Sequence, residues 1–230
     1  MSIIALNNTE HQGMRVNPRL VLSLLEGAQM LPVIVHECAL IGSDAPVVFV
    51  KNQETGQFQM VALYGLAPGE NIFATNGEWR ALSVPLIVQN MPFKLITDAD
   101  DHDRVMVGID DESPLVDAEN GEPLFDTNGD ETEFLKTRKE MLRQYVDGDE
   151  VTRKFVDLLS EMELLAQQEI KVNVDGQKTD IAGIYSVDEA KLRELSPEDF
   201  ERLRASGFLP VIYAQLMSVN QIRRLARMRA

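Results

Sequence analysis

Apolar residues come in short runs of strand length through the first half of the chain and recur at helical spacing through the second half. Three early runs, 31–36, 47–51 and 58–63, have strand character. The polar link Asn52-Gln-Glu-Thr-Gly-Gln57 between the last two suits a hairpin, so those strands are expected to pair antiparallel. Ahead of them, Asn17-Pro18 offers a cap followed by a proline that lacks only an orphan N–H, and Leu20, Val21, Leu24, Leu25 and Ala28 mark one helical face. Residues 61–93 hold the only tryptophan, Trp79, among Gly65, Gly69, Gly77, Pro68, Pro85 and Pro92, which predicts strands joined by sharply specified turns.

Further along, Val105-Met-Val-Gly-Ile109 reads as a strand, and 115–133 as irregular chain with turns at Asn120-Gly121 and Asn128-Gly129. Two helices are predicted over 132–146 and 152–165. The first turns Phe134, Leu135, Met141, Leu142 and Tyr145 inward, the second Phe155, Leu158, Leu159, Met162 and Leu165. A strand pair over 170–185 turns at Asp175-Gly176. Three capped helices close the chain. Ser186 with Glu189 and Ser218 with Gln221 fit the capping box, Ser196-Pro197 opens the middle helix, and Gly207 is a left-handed stop. Strand clusters followed by helix clusters give an α+β class rather than a doubly wound parallel sheet. The expected organisation is a single domain over 1–230, strand-rich over 1–130 and helix-rich over 131–230.

Composition narrows the setting. At 230 residues, 44% of them hydrophobic, the chain can bury its own core. One cysteine, Cys38, excludes an internal disulfide framework and fits a reducing compartment. Neither a cleavable leader nor an apolar run of bilayer length is visible, so a cytoplasmic location without a membrane span is expected. Of the formal net charge of −15, residues 97–150 carry 18 acids and 5 bases, a net of −13. Such a surface repels nucleic-acid phosphates, and no nucleic-acid partner is expected. The last twelve residues reverse the sign, with Arg223, Arg224, Arg227 and Arg229 and no acid. On a helix over 219–228 these arginines flank an apolar face of Ile222, Leu225 and Ala226, which suits docking on an acidic surface of the same molecule or of a partner.

A family likeness extends over nearly the whole chain. It is carried by Pro46-Val-Val-Phe49, Gly65-Leu66, Gly69-Glu-Asn-Ile-Phe73, Trp79, Val84-Pro85 and Pro92-Phe93. It continues through Ile109-Asp110, Glu112, Gly121-Glu-Pro-Leu-Phe-Asp126, Gly129, Thr152-Arg153, Phe155 and Leu164-Leu165, and ends with Gly183-Ile-Tyr185, Ser206-Gly207 and Ile212-Tyr-Ala214. By their order and spacing the sequence resembles the bacterial SapC family. The resemblance implies a link with bacterial surface layers. It also implies gene neighbourhoods that hold outer-membrane receptors, flavin-dependent halogenases and cupin-like oxygenases. It brings no catalytic residue and no cofactor. Gln89-Asn90-Met91 departs from the basic or aromatic residues expected before Pro92-Phe93, which removes the basis for an anion site resting on those three positions.

Candidate chemistry is sparse. His36-Glu37 lacks a second ligand pair, and His11 and His102 lie in polar segments. Asp126-Thr-Asn-Gly-Asp130 opens like a calcium loop but places Glu131 where glycine is needed and Thr137 where the bidentate acid is needed, so a capped turn is expected. Asp98, Asp100, Asp101 and Asp103, with Asp110, Asp111 and Glu112, read as solvated surface rather than an ion site. Cys38 has no neighbouring base to activate it and reads as a buried thiol. A ligand wall built on Trp79 and Arg80 with Asn71 and Asn76, continued by Gln89 and Asn90, is the one small-molecule site considered. No metal, cofactor or catalytic residue is expected.

Two functions from different classes follow. The first is a non-catalytic accessory or interaction protein of a cell-envelope system, with a protein partner or self-association through the arginines. The second is a small-molecule binder or accessory enzyme beside halogenases or oxygenases. A pocket at Trp79 with converging polar groups favours the second, and an exposed apolar patch favours the first.

Overall fold

The computed structural model describes residues 3–19, 22–75, 77–97, 105–117, 119–174 and 177–229. In chain order the strands are β1 (Ile3–Ala5), β2 (Arg15–Val16), β3 (Met30–Pro32), β4 (Val47–Lys51), β5 (Phe58–Leu63), β6 (Ala74–Thr75), β7 (Glu78–Trp79), β8 (Phe93–Thr97), β9 (Val105–Asp110), β10 (Glu122–Pro123), β11 (Leu165–Val174) and β12 (Gln177–Val187). The helices are α1 (Cys38–Gly42), α2 (Leu86–Gln89), α3 (Glu133–Glu161), α4 (Glu189–Arg193), α5 (Pro197–Ala205), α6 (Leu209–Ser218) and α7 (Gln221–Arg229). Antiparallel sheets dominate the first half and helices the second, so the protein is α+β.

The chain forms two compact units, each drawn from two stretches. Unit 1 comprises Met1–Val21 and Leu86–Asp147. Its sheet has the order β1-β9-β8, and β2 pairs with β10. Phe93 and Ile109, opposite one another on β8 and β9, meet Val16, Leu115, Leu124, Phe125, Leu135 and Leu142 in one buried cluster. The Asp126 turn is the expected capped one: its carboxylate accepts the N–H of Asn128 and of Asp130, and Gly129 supplies the left-handed residue.

Unit 2 comprises Leu22–Pro85 and Gly148–Ala230. Its antiparallel sheet runs β11-β12-β4-β5-β3. The expected strands 47–51 and 58–63 match β4 and β5, paired in register from Val47↔Ala62 to Lys51↔Phe58. Phe49 on β4, Phe155 on α3 and Phe208 at the start of α6 follow one another at ring-centroid distances of 6.2 and 5.0 Å, which fastens the helices to the sheet.

Several expected elements take another form. The helix begun at Asn17-Pro18 is reduced to a single 3₁₀ turn at Leu22–Leu24 within the described residues; Leu20 and Val21 lie outside them. The Asn17 side chain caps the N–H of Arg19, and the Leu25 carbonyl accepts both the Ala28 N–H and the buried Asn71 amide (2.9 Å each), which ties the end of the turn to the chain before β6. The run 31–36 stops pairing at Pro32 and closes a tight turn in which the Glu37 carboxylate accepts the Ile34 N–H. The helices expected at 132–146 and 152–165 are one 29-residue helix, α3. Exposed pairs Glu140–Arg143, Arg143–Asp147, Asp149–Arg153 and Glu150–Lys154 support its polar middle. Gly148 within it answers to close packing rather than to a helix break: a Cβ there would lie 2.5 Å from Ile34 Cδ1.

Two capping boxes also resolve differently. Ser186 is a buried strand residue, and the cap of α4 is Asp188, which accepts from Ala190 and Lys191. Ser218 ends α6 instead of opening the last helix, and its hydroxyl accepts the Val47 N–H at 2.9 Å. Ser196 caps α5 as expected, and Gly207 has a φ of 73°. The 170–185 pair is the longer hairpin β11–β12, whose turn residues Asp175 and Gly176 lie outside the described residues. In it the register slips between Gln168↔Ile184 and Ile170↔Ile181, leaving one extra residue on β12; Gly183, at φ 76°, accommodates the bulge.

Candidate functional site

Trp79 sits in unit 2 on β7, in an aromatic group with Tyr64 and Phe73. Ring centroids lie 5.2 Å apart for Tyr64–Trp79, 5.4 Å for Tyr64–Phe73 and 6.4 Å for Phe73–Trp79. The indole N–H donates to Ser83 O at 2.9 Å, so the polar edge of the ring closes its own loop. Asn71 is buried and fully engaged: it donates to Leu25 O and accepts the N–H of Phe73 and of Ala74. The Arg80 backbone donates to Phe73 O, and the residue is exposed. Asn76 lies outside the described residues. Gln89 and Asn90 belong to unit 1. Gln89 is exposed and its carbonyl accepts from Arg138 (2.9 Å), while Asn90 is buried with its amide N–H directed at Met141 O (3.5 Å).

The four C-terminal arginines divide into two pairs. Arg224 forms an ion pair with the buried carboxylate of Asp44, bonds the Asp44 carbonyl at 3.3 Å, and places its guanidinium 5.8 Å from the Phe73 ring centre. The same carboxylate accepts the Leu82 N–H, so one buried acid holds both α7 and the loop after Trp79. Arg229 pairs with Glu70 at 2.8 Å, and Glu70 also accepts the N–H of Leu66 (2.8 Å) and of Ala67. Gln221 adds a bond to Ser43 O. Two arginines and one glutamine thereby fasten α7 to unit 2. Arg223 and Arg227 face solvent.

Titratable groups follow the same division between structural use and exposure. Cys38 is buried beneath α6, its Sγ 3.8 Å from Val211 O, and desolvation pushes the thiol up to about 12. No thiolate nucleophile forms there near neutral pH. Burial, followed by the charges of Glu37 and Asp44, pushes the Tyr64 phenol far above its usual range; its hydroxyl is buried without a hydrogen-bond partner. His11 is buried and its Nδ1 accepts the Asn7 N–H, whereas His36 is exposed. Arg138 in unit 1 lies over the Phe134 ring (5.1 Å), and desolvation lowers its pKa. Among the described residues no group of three His, Cys, Asp or Glu side chains is placed to share a metal. His102 and the acids Asp98, Asp100, Asp101 and Asp103 lie outside them.

The surface feature that composition did not reveal is on α5 and α6. Met217 and Tyr213, one helical turn apart on α6, are 74% and 51% exposed, and Phe200 on α5 is 39% exposed. Tyr213 and Phe200 border an open recess of about 370 Å³ together with Leu192, Leu195 and Pro197. The opposite face of α6 explains how so apolar a helix is held. Gln215 is fully buried; its Nε2 donates to Val47 O (3.0 Å), and its Oε1 accepts the Val187 N–H (3.2 Å) and meets the Ser186 hydroxyl. Together with Ser218 it anchors α6 to β4 and β12 and turns Tyr213 and Met217 outward. Helical spacing alone puts Tyr213 and Met217 on one stripe of a helix that is apolar nearly all round; the bonds of Gln215 decide which stripe faces in.

Among the described residues, no helix is long and apolar enough to cross a membrane. No curated protein and no solved structure matches the chain. A family model described as SapC matches residues 6–225, and the chain belongs to the SapC family.

Proposed function

We propose that this SapC family protein is a non-catalytic interaction protein of a bacterial cell-envelope system, and that its α5–α6 face receives a protein partner. The observation that carries the reading is the apolar exposure of Met217 and Tyr213 on the anchored helix α6, with Tyr213 and Phe200 of α5 bordering an open recess. Exposed large apolar side chains grouped in this way are costly to leave in water, and grouping beside a recess is characteristic of protein contact surfaces. The residues considered for a small-molecule wall support the same reading from the other side. Trp79 and Asn71 spend their polar atoms on their own loops, which leaves little to orient a ligand.

The test is affinity capture from the native bacterium with the tagged chain and with Met217→Glu, checked for an unchanged melting temperature. A partner retained by the parent and by Arg223→Gln but lost by Met217→Glu supports the reading. A partner held equally by all three places the contact elsewhere.

A further inference from the structure

β11 is the edge strand of the unit 2 sheet, with β12 its only strand partner among the described residues. The Asp188 N–H donates to Leu164 O (2.7 Å), which sets the alternation of the ladder. Backbone groups of 166, 168 and 170 turn toward β12, and those of Gln167, Glu169 and Lys171 turn away from it. The bulge at Gly183 is on β12, so β11 keeps its regular alternation through this stretch. Glu169 and Lys171 project from the same face, with side chains 86% and 69% exposed. An open recess of about 290 Å³ lies at the bulge, lined by residues 167–171 of β11 and by Ile181 and Ala182 of β12.

We propose that this edge is a self-association surface, on which a second copy of the chain adds its own β11 antiparallel about a two-fold axis at Ile170. Symmetry and charge select the occupant. In that register Glu169 of each copy lies opposite Lys171 of the other, both as pairs whose outward N–H and C=O groups meet. Ile170 meets its own counterpart on the other face of the sheet, and Gln167 faces position 173. The strand is thus complementary to itself in charge at the centre of the pairing, and the two five-stranded sheets become one of ten strands. Within one chain Glu169 and Lys171 already approach to 3.9 Å at high exposure, and the dimer sets each of them directly opposite a second partner of opposite sign. The formal net charge of −15 opposes association at low salt, so the dimer forms best near physiological ionic strength.

Sedimentation and light scattering of the full chain at about 0.15 M salt, up to about 100 µM protein, test this. The expected mass is twice 25.8 kDa. Glu169→Lys and Lys171→Glu each set like charges opposite one another twice, and each is expected to weaken the dimer about tenfold. Mixing the two variants restores association, because every Lys then faces a Glu, and the double swap restores it within one chain. Lys171→Pro removes only an outward N–H, so the protomer keeps its melting temperature while the dimer is lost. A monomer at the highest concentration, or a dimer indifferent to all these variants, overturns the proposal.

Discussion

Replacing Gln215 by Leu tests how unit 2 holds its exposed face. The side chains are of similar size, so the change removes hydrogen bonds without opening a large cavity. Three buried groups lose a bond: the Val187 N–H loses its acceptor at 3.2 Å outright, whereas Val47 O (3.0 Å) keeps a longer bond from the Ser218 hydroxyl at 3.3 Å and the Ser186 hydroxyl (3.1 Å) keeps the Val187 carbonyl at 3.5 Å, so each of these two loses about 0.5 to 1.5 kcal/mol. A buried polar group left unsatisfied costs about 1 to 3 kcal/mol, and the added apolar burial of Leu offsets part of the sum. A net loss of about 3 kcal/mol is expected, a large share of the roughly 5 to 15 kcal/mol that holds a domain. For a chain of this length that lowers the melting temperature by about 6 to 12 °C. Denaturant midpoints and thermal melts followed by far-ultraviolet circular dichroism read it directly. A shift below about 2 °C would refute the reasoning, because the three groups would then have found other partners.

Other expectations follow from single groups. Tyr64→Phe removes a buried hydroxyl that has no hydrogen-bond partner and is expected to stabilise by about 1 kcal/mol; destabilisation of that size would mean that the hydroxyl is paired. Cys38 is neutral in the fold, with its thiol raised from 9.0 to about 12, so its contribution is fully present below pH 9 and is lost as the pH rises toward 12. The stability gap between the parent and Cys38→Ala should therefore narrow by up to about 1.4 kcal/mol per pH unit in that window, and a constant gap in pH-dependent melts contradicts the burial argument. Arg224→Gln leaves the Asp44 carboxylate buried without its ion pair and is expected to cost about 1 to 2 kcal/mol after allowance for the partial exposure of Arg224, whereas Arg223→Gln, on the solvent side of α7, should lie within about 0.5 kcal/mol of the parent. Equal melting temperatures for the two variants would show that α7 is not held by that pair.

Local chemistry made β4, β5, β9 and the Ser196 cap legible, because each is written in adjacent residues: apolar runs, a polar hairpin link, a serine before a proline. The misread elements depend on partners distant in sequence. Asn71 ties down the turn after Leu25 by donating to the Leu25 carbonyl, and Ser186 and Ser218 leave capping roles for a buried network, Ser186 on the Gln215 side chain and Ser218 on the Gln215 carbonyl and the Val47 N–H. Asp44 shows the same limit. It stands in a polar loop between α1 and β4, and nothing near it in sequence announces a bond to Leu82 or an ion pair with Arg224. The charge pattern of the C-terminus was visible, but not its division into anchored Arg224 and Arg229 and exposed Arg223 and Arg227.

Site-specific photocrosslinking in the native organism tests the central reading most directly. A photoreactive residue at position 217, one turn beyond Tyr213 on the exposed stripe of α6, is expected to give one discrete protein adduct that Tyr213→Ala weakens, while the same probe at 223 gives none of that mass. Absence of an adduct at 217, or an identical adduct from 223, would contradict the assignment of the α5–α6 face as the partner surface.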